Sequence, residues 1–197
     1  MPTSEGVTTC PTLSTDRLTL RPRTRADFDA FAAFYQTDRS RHVGGPLPAA
    51  RVWYGFMAEV GYWATDGFGG WAVERRADGA LIGEVCIQHP PFFPEVELGW
   101  TLLDGFEGHG YATEAAEAAR DWAFGTRGLS TLVSYIDPEN ARSIAVAERL
   151  GATRDSQARA MDPEDFVYRH RAGATSEVPY ACHTHRIRGA DRSGDAT

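Results

Sequence analysis

The chain has no lysine: all 20 of its basic side chains are arginine. That absence removes lysine nucleophiles, Schiff-base chemistry and a Walker-type phosphate loop, which needs Gly-Lys-Ser/Thr. Asparagine occurs once, at Asn140. The skew reads as a compositional bias, and it makes the one asparagine that survives it worth following. Cysteine is scarce and odd in number, at Cys10, Cys86 and Cys182, with no Cys-x-x-Cys pair. This excludes a disulfide framework and a zinc site of the usual spacing. Cys182-His183-x-His185 stands in a polar tail and reads as solvated, so no metal is expected. No apolar run approaches the roughly 20 residues that span a bilayer, and the first residues lack a basic-then-apolar leader. A cytoplasmic protein with no membrane partner is expected. Positive charge is in deficit: the formal net charge is −7, which argues against nucleic acid and is compatible with a cationic or amine substrate.

What is present is one stretch that organises the rest, Phe106-Glu107-Gly108-His109-Gly110-Tyr111-Ala112-Thr113-Glu114. The alternating Val96-Glu97-Leu98-Gly99-Trp100-Thr101-Leu102 precedes it, and an alanine-rich amphipathic segment, Ala115 to Phe124, follows. The order reads as strand, glycine turn, helix start. A helix start presents unpaired N–H groups and a partial positive charge, a seat for phosphate. Gly108 and Gly110 can take positive φ and let a ligand approach the backbone. A Rossmann reading would want Gly-x-Gly-x-x-Gly early in a βαβ unit with an acid about 20 residues on, and the pattern does not supply it.

In order along the chain, residues 1–12 read as a flexible leader. Leu18 to Pro22 reads as a strand. Thr24 caps a helix running to about Thr37, with Phe28, Phe31, Ala32 and Tyr35 at helical spacing. Pro48 opens a second helix with Val52, Phe56 and Val60 on one stripe. Trp71 to Arg75 and Leu81 to Gln88 form a hairpin through Asp78-Gly79, expected as a type I′ turn. Glu95 to Leu103 completes an antiparallel meander. On it Val96, Leu98, Trp100 and Leu102 face one way, and Glu95, Glu97 and Thr101 the other. Leu132 to Ile136 is a short strand parallel to the one before the glycine turn. Asp137-Pro138-Glu139 reads as cap, first turn and acid of another helix. Phe166 to Tyr168 closes the sheet. Residues 13–171 make one domain, and 172–197, without hydrophobic periodicity, read as a disordered tail.

With these residues in place the chain resembles the GNAT N-acetyltransferases, the RimJ/RimL-like branch in particular. The resemblance rests on Leu18-Thr19-Leu20-Arg21-Pro22, Gly70-Trp71-Ala72-Val73, Leu81-Ile82-Gly83-Glu84, Glu97-Leu98-Gly99-Trp100, Gly108 to Ala115, and Ile136-Asp137-Pro138-Glu139-Asn140-x-x-Ser143 with Leu150-Gly151. It covers about Leu13 to Arg171. It implies an α+β fold: a mostly antiparallel twisted sheet with a splayed parallel pair and helices on both faces. It also implies acetyl-coenzyme A as co-substrate, its diphosphate cradled by backbone N–H groups of Gly108, His109, Gly110, Tyr111, Ala112 and Thr113. Trp100, Thr101 and Leu102 would line the pantetheine slot through their backbone. Asn140 would lie near the cofactor, although a helix cap serves it equally well. Glu107 stands where the family often has Gln, Arg or Trp, so its carboxylate should point away from a diphosphate.

The resemblance further implies direct transfer of acetyl to a primary amine, either a protein α-amine or a small amine. Glu97 is the expected base, with Glu95 in reserve. Ser143 is expected to donate to the leaving thiolate, with Tyr168 second. The His42-to-Pro46 loop, Trp53, Tyr54, Trp63 and Phe68 are candidates for the acceptor wall. Lysine self-acetylation is excluded. The competing class is a non-catalytic coenzyme A sensor or interaction module. Exposed meander edges are compatible with a homodimer.

Overall fold

Alternating apolar residues in the first two-thirds of the chain zip into a sheet, and the amphipathic segments between them cover it. The computed structural model describes residues 9–172. Strands β1 (Leu13–Ser14), β2 (Leu18–Pro22), β3 (Gly70–Arg75), β4 (Ala80–Gln88), β5 (Glu97–Leu102), β6 (Val133–Ile136), β7 (Thr153–Arg154) and β8 (Phe166–Arg169) form one sheet in the order β1-β2-β3-β4-β5-β6-β8-β7. Every pair is antiparallel except β5 and β6, which run parallel. The expected mixed α+β sheet with one parallel pair is what the structure shows.

Four helices pack on it: α1 (Phe28–Tyr35), α2 (Ala49–Thr65), α3 (Tyr111–Gly125) and α4 (Ala141–Arg149). The first is preceded by a short 3-10 turn, Arg25–Asp27, whose Thr24 and Asp27 form a reciprocal capping box. A second 3-10 turn, Asp38–Val43, links α1 to α2 and ends at Gly44 with φ of 87°. Helix α3 lies close on the sheet because its inner face is small: Ala115, Ala116, Ala118, Ala119 and Ala123 are all buried. Trp122 beside them meets Trp71 of β3 and Trp63 of α2, ring centroids 5.2 and 5.5 Å apart, edge to face. Buried Arg120 donates from Nη1 to the Leu150 carbonyl at 2.8 Å, tying α3 to the end of α4.

Several local expectations differ from what is found. Among the described non-glycine residues none has positive φ, and only Gly79 (69°) does so in the β3–β4 loop. A type I′ turn needs two such residues, so Asp78-Gly79 ends a four-residue loop in which Gly79 N–H bonds the Arg75 carbonyl at 2.8 Å. Strand β5 is shorter than expected because Pro94 holds the chain off the sheet and Glu95 is drawn to Arg169. Helix α4 starts at Ala141, not after Asp137: the Asp137-to-Asn140 segment is a turn whose own backbone bond (Asn140 N–H to Asp137 O, 2.9 Å) delays the helix. On α2, Val52 and Phe56 are buried but Val60 is exposed. The expected leader has its last residues in the fold: the Pro11 carbonyl accepts from Trp71 Nε1 at 2.8 Å. Its residues 1–8, and 173–197 of the expected tail with Cys182, His183 and His185, lie outside the described residues.

Ala119 is fully buried against the sheet. Ala119→Leu forces α3 outward, and urea unfolding is expected to show a loss of about 1–3 kcal/mol.

Candidate active site

The parallel pair is joined at one end only. Glu97 of β5 is in register with Val133 of β6, and that is the single paired position. The Val133 N–H bonds the Val96 carbonyl at 3.0 Å, and Ser134 Oγ donates to the Leu98 carbonyl at 2.5 Å. Past Leu98 the strands diverge. Trp100, Thr101 and Leu102 then line a groove of about 1360 Å³. Its other walls are the Glu107-to-Thr113 stretch, residues 139–143 with Ala145, Val146 and Arg149 of α4, and the Asp38–Val43 turn.

The glycine turn lies along this groove. Gly108 (φ 80°) and Gly110 (φ 81°) both adopt the left-handed conformation. Gly110 caps α3 with no side-chain hydrogen bond, and the first intrahelical bond is Glu114 N–H to the Gly110 carbonyl at 3.1 Å. The N–H groups of Tyr111, Ala112 and Thr113 therefore precede the first helical ladder bond, on an end that attracts anions. Glu114, which could have competed as a local anion, is spent elsewhere. It accepts from Thr15 Oγ1 (2.5 Å), Arg17 N–H (3.0 Å) and Arg17 Nε (2.7 Å), pinning α3 to the β1–β2 turn. Burial pushes its carboxyl up, and these donors more than reverse that, leaving it below the usual range.

Glu107 lines the groove, and its charge is taken: Oε1 pairs with Arg39 and Oε2 accepts from Gly105 N–H at 3.0 Å. Arg39 also pairs with Asp104. Arg41, Arg142 and Arg149 line the same groove. None of these arginines was singled out from sequence, because their convergence depends on packing the Asp38–Val43 turn against α4. The groove lining thus carries four arginines against Asp38, Glu107 and Glu139, with Arg39 neutralising Glu107, which suits a phosphate-bearing ligand.

Asn140 sits at the groove and caps α4, its Oδ1 accepting from Ser143 N–H at 3.2 Å. The cap and the groove position are both realised. Ser143 is on the groove wall one turn away. Tyr168 is not on that wall. It is buried on β8 among Ile136, Ala147 and Ala152, and burial, then the charge of Glu148, raise its phenol.

On the other face of β5, Glu97 stands in register with Gln88 of β4 and accepts from its Nε2 at 2.7 Å. Burial pushes Glu97 up to about 7, against the pull of Gln88. Glu95 is unlike it. Arg169 binds both its oxygens (2.7 and 2.8 Å), Thr131 adds a third bond, and the Arg169 contact above all holds it below the usual range. A carboxylate so committed is a poor proton acceptor at neutral pH.

Beyond Glu97 the same face carries a buried polar cluster that sequence reading missed. Arg23 bonds Glu84 at 2.8 Å and Glu59 of α2, and Tyr35 of α1 donates to Glu84 at 3.0 Å. Burial, partly offset by Arg23, pushes Glu59 up to about 7. The signal was only a scatter of charges across β2, α1, α2 and β4, visible once the helices lie over the sheet. Of the aromatics expected to wall an acceptor site, Trp63 and Phe68 belong to the main core, Trp53 is half-buried against Phe28, and Tyr54 is exposed. His42 and Val43 do line the groove.

A parallel pair opened at one end, with a glycine-capped helix start beside the gap, is an architecture suited to an extended ligand that carries phosphate. The acetyltransferase (GNAT) domain family matches residues 17–153, and the chain belongs to that family, of the RimJ/RimL type. It is similar to an acetyltransferase of Agrobacterium tumefaciens str. C58, at 50% identity and TM-score 0.81, over 83% of this chain and 95% of that one. It is 31% identical to YkkB of Bacillus subtilis (strain 168) across 52% of this chain, a match that spans only 60% of that relative. RimL, a ribosomal L7/L12 α-N-protein acetyltransferase solved in complex with coenzyme A, shares the fold at 14% identity and TM-score 0.63, over 80% of this chain and 94% of that one. No described helix is long and apolar enough to cross a membrane.

Glu114 binds fewer protons in the folded chain than in the unfolded one around pH 4, so its contribution is present above its unfolded pKa and fades as acid protonates the folded form. Glu114→Gln is expected to cost about 1 kcal/mol at pH 7, discounted for the exposed Arg17 guanidinium. The difference from the parent should shrink in urea titrations as pH is lowered through the carboxylate range.

Proposed function

We propose that the chain transfers acetyl from acetyl-coenzyme A to a primary amine by direct attack. The observation that carries this reading is the alignment of two backbone features along one groove: the β5 edge left without a β6 partner, and the α3 start at Gly108 and Gly110, which has no side-chain cap bond. The first suits the amide-bearing pantetheine arm and the second a diphosphate. The residues that would hold the co-substrate are Trp100, Thr101 and Leu102 through backbone, Gly108 to Thr113 through N–H groups, and Asn140 and Ser143 on α4. Arg142 and Arg149 supply positive charge beside them. The thioester supplies an activated acyl carbon, and the chain's task is to present a neutral amine to it.

Aliphatic amines are mostly protonated at neutral pH, with pKa values of about 8 to 10. A base is therefore required, and Glu97, pushed up to about 7, is matched to that task. It stands beside the point where β5 and β6 part, on the face where Glu59, Glu84 and Arg23 are buried. Three carboxylates, Glu59, Glu84 and Glu97, against the one buried Arg23 favour a cationic acceptor on that side. Ser143, on the groove wall, is the donor assigned to the leaving sulfur; Tyr168, buried away from the groove, is the weaker candidate. RimL acts on a protein α-amine by its own description. A protein N-terminus and a small amine are both acceptors of the required chemistry.

The test is a thermal shift with acetyl-coenzyme A followed by free-thiol release against peptides and small amines. Stabilisation with release on one acceptor is expected. Stabilisation with no release would favour a coenzyme A sensor, and no stabilisation would refute the groove reading. Turnover should fall as Glu97 protonates below about pH 7. Glu97→Gln should lower kcat by roughly 10²-fold or more and abolish that limb of the profile.

A further inference from the structure

His42 has no part in the account above, yet it lines the groove with Trp100 and Ser143. Its placement is built, not incidental. The Asp38–Val43 turn that carries it is anchored by buried Ser40, whose Oγ donates to the carbonyls of Thr37 (2.7 Å) and Tyr35 (3.1 Å). Gly45 follows with no room for a side chain, since a Cβ there would meet Ser40 Oγ at 1.9 Å. Arg39 fastens the same turn to Asp104 and Glu107 beyond β5. On the other side of the groove, Asp137 meets His42 Nδ1 through Oδ2 at 2.5 Å. Asp137 is itself fixed, because its Oδ1 accepts from the Glu139 N–H at 2.7 Å.

The contacts suit one tautomer of the imidazole. A carboxylate can only accept, so Nδ1 carries a hydrogen. Arg41 Nε–H points at Nε2 at 3.0 Å, so Nε2 presents a lone pair. Arg41 is exposed and belongs to the same turn, so it can leave Nε2 free to an incoming group. A carboxylate-oriented imidazole on the groove wall, its Nε2 covered only by the Arg41 side chain, is the arrangement of a proton acceptor.

We propose that His42, oriented by Asp137, is a second proton-transfer residue of the acetyl transfer. The proposal rests on the acetyl-transfer reading above. Acylating an ammonium removes two protons from one nitrogen, as the C–N bond forms and the C–S bond breaks. Glu97, on the far face of β5, takes the first and frees the attacking amine. His42 Nε2 takes the second, shed as the amide forms. The departing sulfur gains one proton and solvent the other, so charge and atoms balance. Asp137 acts through His42, as a positioning residue.

The experiment begins with wild-type protein, acetyl-coenzyme A and the acceptor panel. If wild type releases no thiol on any acceptor, the transfer reading itself fails, before any variant is made. With transfer established, His42→Gln is expected to lower kcat by roughly 10²-fold, while calorimetry shows an unchanged acetyl-coenzyme A affinity. Imidazole added to His42→Ala should restore part of the rate. Asp137→Asn should lower kcat with His42 intact, and the 15N spectrum of the ligand-free protein should lose the Nδ1–H tautomer seen in wild type. An unchanged kcat in His42→Gln overturns the proposal. So does a loss of acetyl-coenzyme A affinity that accounts for the whole defect with no rescue by imidazole, because His42 would then be a clasp on the groove.

Discussion

The structure depends on a parallel strand pair that is held at one end and released at the other. Parallel strands ordinarily continue side by side, because each backbone N–H and C=O needs a partner. Here β5 and β6 share one register position, Glu97 with Val133. The junction is reinforced from both sides: Ser134 Oγ takes the Leu98 carbonyl, and Arg169 of β8 clamps Glu95 just before β5. Past that point β6 turns away to β8, and α4 starts late, after the Asp137-to-Asn140 turn. The unpaired edge of β5 is the cost of that geometry, and it is stable only because the groove admits water or a ligand that can bond it.

The sheet separates two electrostatic environments. On the groove side, Arg41, Arg142 and Arg149 line the walls, and Arg39 neutralises Asp104 and Glu107. On the side beneath α1 and α2, Glu59, Glu84 and Glu97 outnumber the one buried arginine, Arg23. Under the proposed function, an anionic donor and a cationic acceptor would each meet its complement. Burial also raises the Glu97 carboxyl to about 7, which suits the proton acceptor proposed for it.

Much of the fold was legible because it rests on local pattern. The alternation of β2 to β5, the glycine turn, and the alanine face of α3 each encode their element within a few residues, and Gly108 and Gly110 adopt the positive φ their spacing suggested. The two-residue strands β1 and β7 escaped notice since they carry too few residues for periodicity. The start of α4 was misplaced because Asp137 and Asn140 offer two competing caps three residues apart, and the turn's own backbone bond decides between them. The site was legible only where it is contiguous. The glycine turn, Asn140 and Ser143 were found together on the groove, whereas the arginines, the Arg23 cluster and the His42–Asp137 contact arise from tertiary packing across 36 to 95 residues of chain. Tyr168 was the second choice for the donor to the leaving thiolate, and strand register turns it into the core.

The central claim is that one groove binds coenzyme A through the free β5 edge and the α3 start together. Backbone amide hydrogen exchange with and without acetyl-coenzyme A tests it most directly. The account predicts slowed exchange confined to two stretches, Trp100 to Leu102 and Gly108 to Thr113, with little change along the β3–β4 hairpin. Protection of neither stretch at saturating acetyl-coenzyme A, or protection centred on another part of the sheet, would contradict it.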